Sequence, residues 1–265
     1  MAGESLFFCF RDGALIEANE ASDSDARLAV ADSWLVEDGR VRSLERHLAR
    51  FRRSIEQVAP DHAQYCDAFF EAVKHAIPAE GRWFPRIEFH ENASSENHLH
   101  LRLREAPEQL STVTLWTLDE TDPRESPTIK GPDLSLGQQL RRRANLHGAD
   151  EAVLLDSNGF VLEGALSSLV WWRDDVLCAP GDDLPWLPSI TRELVFAIAA
   201  QSGFKTKTES VKPESLNGLE IWLLSSLHGI RLVTAWNSLP DGPAAAHHLD
   251  AFNRRLRMLA SAVID

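Results

Sequence analysis

The segment Leu187-Pro188-Ser189-Ile190-Thr191-Arg192 carries residue types well suited to holding an anion. A proline and a hydroxyl ahead of an apolar-periodic stretch open a helix. The first turn of a helix has backbone N–H groups with no carbonyl to receive them. Those groups, the helix dipole and the Thr191 hydroxyl together suit a phosphate. The same residues also describe an ordinary Ser-capped helix, and alone they leave both readings open. No GxxxxGK or GxGxxG loop accompanies them, so nucleotide binding finds no support. His98-x-His100 on a strand puts both rings on one face, with His90 nearby. No carboxylate or cysteine completes a recognised ligand spacing there, and no metal is expected. Arg141-Arg142-Arg143 is expected to be a solvated helix face rather than a nucleic-acid patch.

These residues need elements to position them. Leu44, Leu48, Phe51 and Ile55 recur at helical spacing, with Ser43 as a candidate cap and arginines, Arg50 among them, on or near the other faces. A second helix is expected over 63–76, and strands over 83–90, 98–104 and 113–118. The acidic, proline-containing stretch 119–127 lacks periodicity and reads as a linker. Beyond it, Leu136, Leu140, Ala144 and His147 mark a helix. Strands at 152–155 and 160–162 flank an Asp-Ser-Asn-Gly turn. A second hairpin joins 168–172 to 176–178 around Asp174-Asp175. Ser189 caps a helix that Gly203 ends. Strands at 221–224 and 232–235 and a helix over 244–263 close the chain. The expected class is α+β in two domains: a small α+β domain over 1–110, an interdomain strand and linker over 111–127, and a larger domain over 128–265.

Composition bounds the function. The chain has 265 residues and a formal net charge of −13, from 27 basic and 40 acidic groups. That balance argues against nucleic acid or an anionic membrane as partner, yet a few arginines in a cleft could still hold an anionic small substrate. Three scattered cysteines suggest neither a disulfide framework nor a zinc site. No apolar run is long enough to span a bilayer, and the start does not resemble a secretory signal. A cytoplasmic protein is expected. The eight tryptophans are scattered, which fits core or dimer packing better than stacking on bases.

The ordered set of motifs resembles the class IV aminotransferase superfamily, the fold-type IV pyridoxal phosphate enzymes. The matching runs are Glu45-Arg46-His47-Leu48-Ala49-Arg50-Phe51, Gly148 to Ala152, Leu154 to Gly164, Leu187 to Arg192, and Ser225 to Ile230. The resemblance implies a two-domain fold like that of D-amino-acid aminotransferase, with pyridoxal 5′-phosphate in the interdomain cleft, and a homodimer. It implies that Lys130, 33 residues ahead of Glu163, carries the cofactor and moves the substrate's Cα proton. Glu163 is then the partner of the pyridine nitrogen. Arg50, Ser189, Ile190, Thr191 and Ser226 are the phosphate's expected holders, and Arg86 meets a substrate carboxylate.

Several positions depart from the family pattern. Ser135 stands where aminotransferases commonly have a tyrosine, Ser168 where an asparagine is usual, and Ser189 where a glycine is usual. The N-terminal strand reads Ala31-Asp32-Ser33-Trp34-Leu35. The lost tyrosine and the compact length lean the expected reaction towards 4-amino-4-deoxychorismate lyase, which expels pyruvate to leave 4-aminobenzoate. The alternatives are a transaminase for branched-chain or D-amino acids and a non-catalytic relative that keeps the cofactor. In each enzymatic case the substrate is a small anionic amino compound.

Overall fold

The structure is a computed structural model that describes residues 5–18, 26–93 and 98–264. The chain divides into two units, one comprising 1–108, 129–132 and 259–265, the other 109–128 and 133–258. This differs from the expected division in three places. The stretch read as interdomain strand and linker lies within the second unit. The short segment around Lys130 joins the first, and so does the end of the chain.

The first unit runs β1 (Leu6–Arg11), β2 (Ala14–Glu17), β3 (Arg27–Ser33), β4 (Val36–Glu37), β5 (Arg40–Arg42), α1 (Leu44–Val58), α2 (Cys66–Ala76), β6 (Arg82–Trp83), β7 (Arg86–Glu91) and β8 (Leu99–Leu103). An antiparallel sheet takes the order β2-β1-β8-β7-β3. Alternate residues of its strands face in opposite directions. Val30, Ile87, Phe89, Leu99 and Leu101 pack with Leu48, Phe51 and Ile55 of α1 and Phe69 and Val73 of α2. The helical spacing read from the sequence is thus the face that covers this sheet. Ser43 does not cap α1 through its side chain. It takes a left-handed backbone (φ 53°), and its carbonyl accepts from Arg46 N–H at 3.0 Å. The expected strand over 83–90 is broken at Phe84-Pro85 into β6 and β7, since proline has no N–H for a ladder.

The second unit runs β9 (Thr112–Thr117), α3 (Leu134–Leu146), β10 (Glu151–Leu155), β11 (Val161–Gly164), β12 (Ser168–Arg173), β13 (Val176–Pro180), α4 (Ile190–Gln201), β14 (Lys205–Glu209), β15 (Ile221–Ser225), β16 (Gly229–Trp236) and α5 (Leu249–Met258). Its mixed eight-stranded sheet takes the order β11-β10-β9-β16-β15-β12-β13-β14. The central strands are buried on both faces. Val170 and Trp172 of β12, with Trp222 and Leu224 of β15, pack against α4 and α5. Leu169, Trp171, Ile221 and Leu223 fill the opposite core. Period-two alternation here separates two cores rather than core from solvent.

The expected closing helix over 244–263 is shorter. It ends at Met258, and β17 (Ala260–Ala262) pairs with β5 of the first unit. The Ala-Ser-Ala run suits either element, and an open strand edge at β5 decides it. The stretch 119–127 is also no free linker. Asp122 N–H donates to Leu155 carbonyl at 2.9 Å, and Asp133 accepts from Ser126 N–H at 2.9 Å. Among the described residues no helix is long and apolar enough to cross a membrane.

Candidate functional site

In the first unit, β3 holds two of the expected residues through consecutive positions. Ala31 N–H donates to the Lys130 carbonyl at 2.6 Å. The next residue, Asp32, is fully buried and receives Arg50 through both Nε (to Oδ2) and Nη2 (to Oδ1), each at 2.8 Å. His47 Nδ1 lies 2.8 Å from Asp32 Oδ1, and Ser33 N–H donates to the same oxygen at 2.7 Å. Burial alone would raise the Asp32 carboxyl, but Arg50 and His47 hold it well below the usual range. Burial pushes the His47 imidazole down, against the pull of Asp32. Gly131 follows Lys130 with φ +147°, and a Cβ there would meet Val30 Cα at 2.8 Å and Ala29 O at 2.9 Å. Only glycine lets the lysine segment lie this close to β3.

Arg86 lies on the opposite face of the same sheet from the core, in register with Arg102. Both reach Glu88: Arg86 Nε at 2.5 Å and Arg102 Nε at 3.3 Å, with His90 Nε2 at 2.8 Å from the other carboxylate oxygen. Burial opposes the charge on Glu88, but His90, Arg86 and Arg102 together lower its pKa to about 2. Glu88 therefore stabilises the fold fully above its ordinary value near 4.5 and loses that contribution as pH falls towards 2. In thermal unfolding across pH 2–6, wild type should lose on the order of 3 kcal/mol from this group, and Glu88→Gln should show a flatter acid limb. An identical acid limb in the variant would contradict the pairing.

The three histidines considered for a metal do not converge. β8 begins at Leu99, so His98 falls outside the strand alternation. Its ring stacks on Phe89 and meets His62, whereas His100 stacks on Phe7 and meets His90. Among the described residues there is no group of three or more histidine, cysteine or acidic side chains able to hold a metal ion.

In the second unit, Glu163 on β11 is buried, and its Oε1 accepts from Arg124 Nη1 at 2.6 Å and Leu187 N–H at 2.8 Å. Oε2 has no hydrogen bond among the described residues. Arg124 is shared: its Nη2 lies 2.8 Å from Asp122 Oδ2 and its Nε 3.0 Å from both Asp122 oxygens. Burial pushes the Glu163 carboxyl up, and Arg124 offsets this only in part. Two acidic side chains thus share one arginine, and Arg192 is near enough to feel the charge of Glu163. Arg124 and Asp122 were not among the residues singled out in the sequence, because they lie in the stretch that read as a linker.

Leu187 opens the turn that leads into α4. Ser189 is the N-cap, with its hydroxyl accepting from Arg192 N–H at 3.2 Å and its carbonyl from Glu193 N–H at 3.0 Å. The hydroxyl accepts in that cap and keeps its own O–H to donate. Ile190 and Thr191 are buried, and their N–H groups have no carbonyl four residues back within the helix. Ser226 lies in the turn between β15 and β16. That turn is held by Gln109 Nε2 donating to Leu227 O at 2.7 Å and Leu110 N–H donating to His228 Nδ1 at 3.1 Å. Burial, with Arg231 and Arg141 nearby, lowers His228 to about 4, so its ring is neutral and can accept that bond.

A buried acid with one oxygen uncommitted suits a protonated ring nitrogen, and a helix N-terminus, whose first N–H groups have no carbonyl within the helix to receive them, suits a phosphate. A lysine pinned at its backbone suits a covalent attachment point. Each donor type fits pyridoxal phosphate, and the two units carry the fold in which such residues occur. The sequence matches the family model for amino-transferase class IV over residues 29–236, and the chain belongs to that family. Pyridoxal 5′-phosphate is the family's cofactor. The branched-chain-amino-acid aminotransferase of Salmonella typhimurium is 35% identical over 83 residues, 31% of this chain and 26% of that relative. The match thus spans about a quarter of the curated relative's length. A hypothetical aminotransferase from Mycobacterium tuberculosis, solved with alpha-ketoglutarate and PMP bound, has a TM-score of 0.80 at 19% identity, covering 96% of this chain and 98% of that one. The branched-chain amino acid aminotransferase of Escherichia coli has a TM-score of 0.77 at 15% identity, covering 100% of both chains. These two likenesses are of fold.

Proposed function

We propose that this protein is an amino-acid transaminase that uses pyridoxal 5′-phosphate and moves an amino group to a 2-oxo acid. The observation that carries the cofactor assignment is Glu163, buried, with one oxygen uncommitted and one arginine divided between it and Asp122. Bound there, the cofactor supplies an aldehyde for the substrate amine and a ring that draws electrons from Cα. Glu163 Oε2 accepts the ring N–H and keeps that nitrogen protonated. Lys130 Nζ would hold the cofactor in the resting protein; displaced by the substrate amine, the freed Nζ would take the proton from the substrate Cα and give it back as the amino group moves to the cofactor. The Ser189 hydroxyl, Ile190 N–H, Thr191 N–H and hydroxyl, Ser226 and Arg50 hold the phosphate. Arg86, with Arg102 beside it and Glu88 between them, favours an anionic substrate. A homodimer and a cytoplasmic location belong to the same proposal.

The sequence leaned towards the lyase. Curated relatives named as branched-chain-amino-acid aminotransferases, among them that of Salmonella typhimurium, favour transfer instead. Ser135, in place of the tyrosine common in aminotransferases, keeps the lyase as the second reading. A substrate panel on the purified protein separates them. Transfer from leucine, isoleucine or valine to 2-oxoglutarate is expected, with little pyruvate release from 4-amino-4-deoxychorismate. Pyruvate release without amino transfer would reverse the order.

A further inference from the structure

Arg50 sits on α1 and Asp32 on β3, and the two meet through a side-on fork that uses Nε and Nη2 together. Such a fork fixes the plane of the guanidinium, whereas a single contact leaves it free to swing. Asp32 is itself fixed. Its Oδ1 also receives Ser33 N–H and lies 2.8 Å from His47 Nδ1, and the side chain is fully buried. A buried ion pair of this kind adds little to stability over a well-packed apolar pair, so fold stability alone does not account for it. The strand that supplies Asp32 also supplies, one residue earlier, the N–H that holds the Lys130 carbonyl. One stretch of β3 therefore sets both the lysine backbone and the arginine head group.

We propose that Asp32 is the positioning residue of the phosphate arginine: it aims Arg50, with His47 as its brace, and so sets affinity for the phosphate of the cofactor. This rests on the cofactor assignment given above. Asp32 makes no contact with the phosphate in this scheme and acts only through Arg50. Its effect is thus confined to ligands that carry a phosphate and disappears when Arg50 is absent.

The test is a binding titration of apoprotein with pyridoxal 5′-phosphate and with pyridoxal, for wild type, Asp32→Asn, Arg50→Met and the double variant. Arg50→Met should weaken pyridoxal phosphate by about 10²-fold, the scale of hydrogen bonds to a charged group. Asp32→Asn should weaken it by roughly 10-fold and leave pyridoxal unchanged, and the double variant should match Arg50→Met. Equal weakening for both ligands, losses that multiply in the double variant, or wild-type affinity in Asp32→Asn would each overturn the role of Asp32. Wild-type affinity in Arg50→Met would overturn it together with the assignment of Arg50 to the phosphate. Should Asp32→Asn fail to fold, Arg50→Lys decides. It keeps the charge but cannot span both oxygens of Asp32, so it should lose about 10-fold or more for pyridoxal phosphate alone. Full affinity in that variant would show that no aimed fork is needed.

Discussion

Lys130→Ala should lower turnover by about 10⁴-fold, near the upper end for a positioned general acid–base group, and abolish covalent attachment of the cofactor. The side chain is half-buried, while the backbone is held by main-chain contact with Ala31 and by the glycine that follows. Alanine retains those backbone contacts, so unfolding of the apoprotein should stay within roughly 1 kcal/mol of wild type. A large kinetic loss beside a small stability change is the signature of a group that acts on the substrate. Turnover within tenfold of wild type would remove Lys130 from the chemistry.

Glu163→Gln should keep the fold and lose on the order of 10²–10³-fold in turnover, because a neutral amide does not hold the ring nitrogen in its protonated state. The apoprotein should respond in the opposite direction. Burial raises the Glu163 pKa in the folded chain, so ionisation is penalised there as pH rises above the ordinary carboxylate value. Glutamine mimics the uncharged acid and escapes that penalty. At pH 7–8 the apo variant should melt at or above the wild-type temperature, and the difference should close as pH falls below about 4.5. Arg124 is not orphaned by the change, since Asp122 still pairs with it. A variant that melts lower at neutral pH would mean that Glu163 is ionised and stabilising in the apoprotein. Unchanged turnover would make it a structural acid.

The α4 start was legible because its signal is local: a proline, a capping hydroxyl and an apolar period lie within one turn of chain. The α1 face was legible for the same reason, through Leu48, Phe51 and Ile55. The positions of Arg124 and Asp122 were hidden because their meaning depends on a long-range partner, Glu163, and their surroundings lack any period. Asp32 offered a fainter signal. An acid inside the apolar strand β3 predicts a buried partner, but nothing local names Arg50, 18 residues on. The Lys130 segment and β17 group with the first unit for a related reason. Both are short runs whose membership is set by main-chain bonds to β3 and β5, and such bonds leave little trace in side-chain pattern. Ser43 occupies the N-cap position as expected but makes no side-chain capping bond, because residue type alone does not reveal a left-handed backbone.

Borohydride reduction of the protein purified with its cofactor, followed by peptide mapping, tests the attachment most directly. The pyridoxyl label should fall on Lys130 and nowhere else, with the near-visible absorbance lost on reduction. A label on Lys74, Lys205 or any other lysine would contradict the assignment of this site.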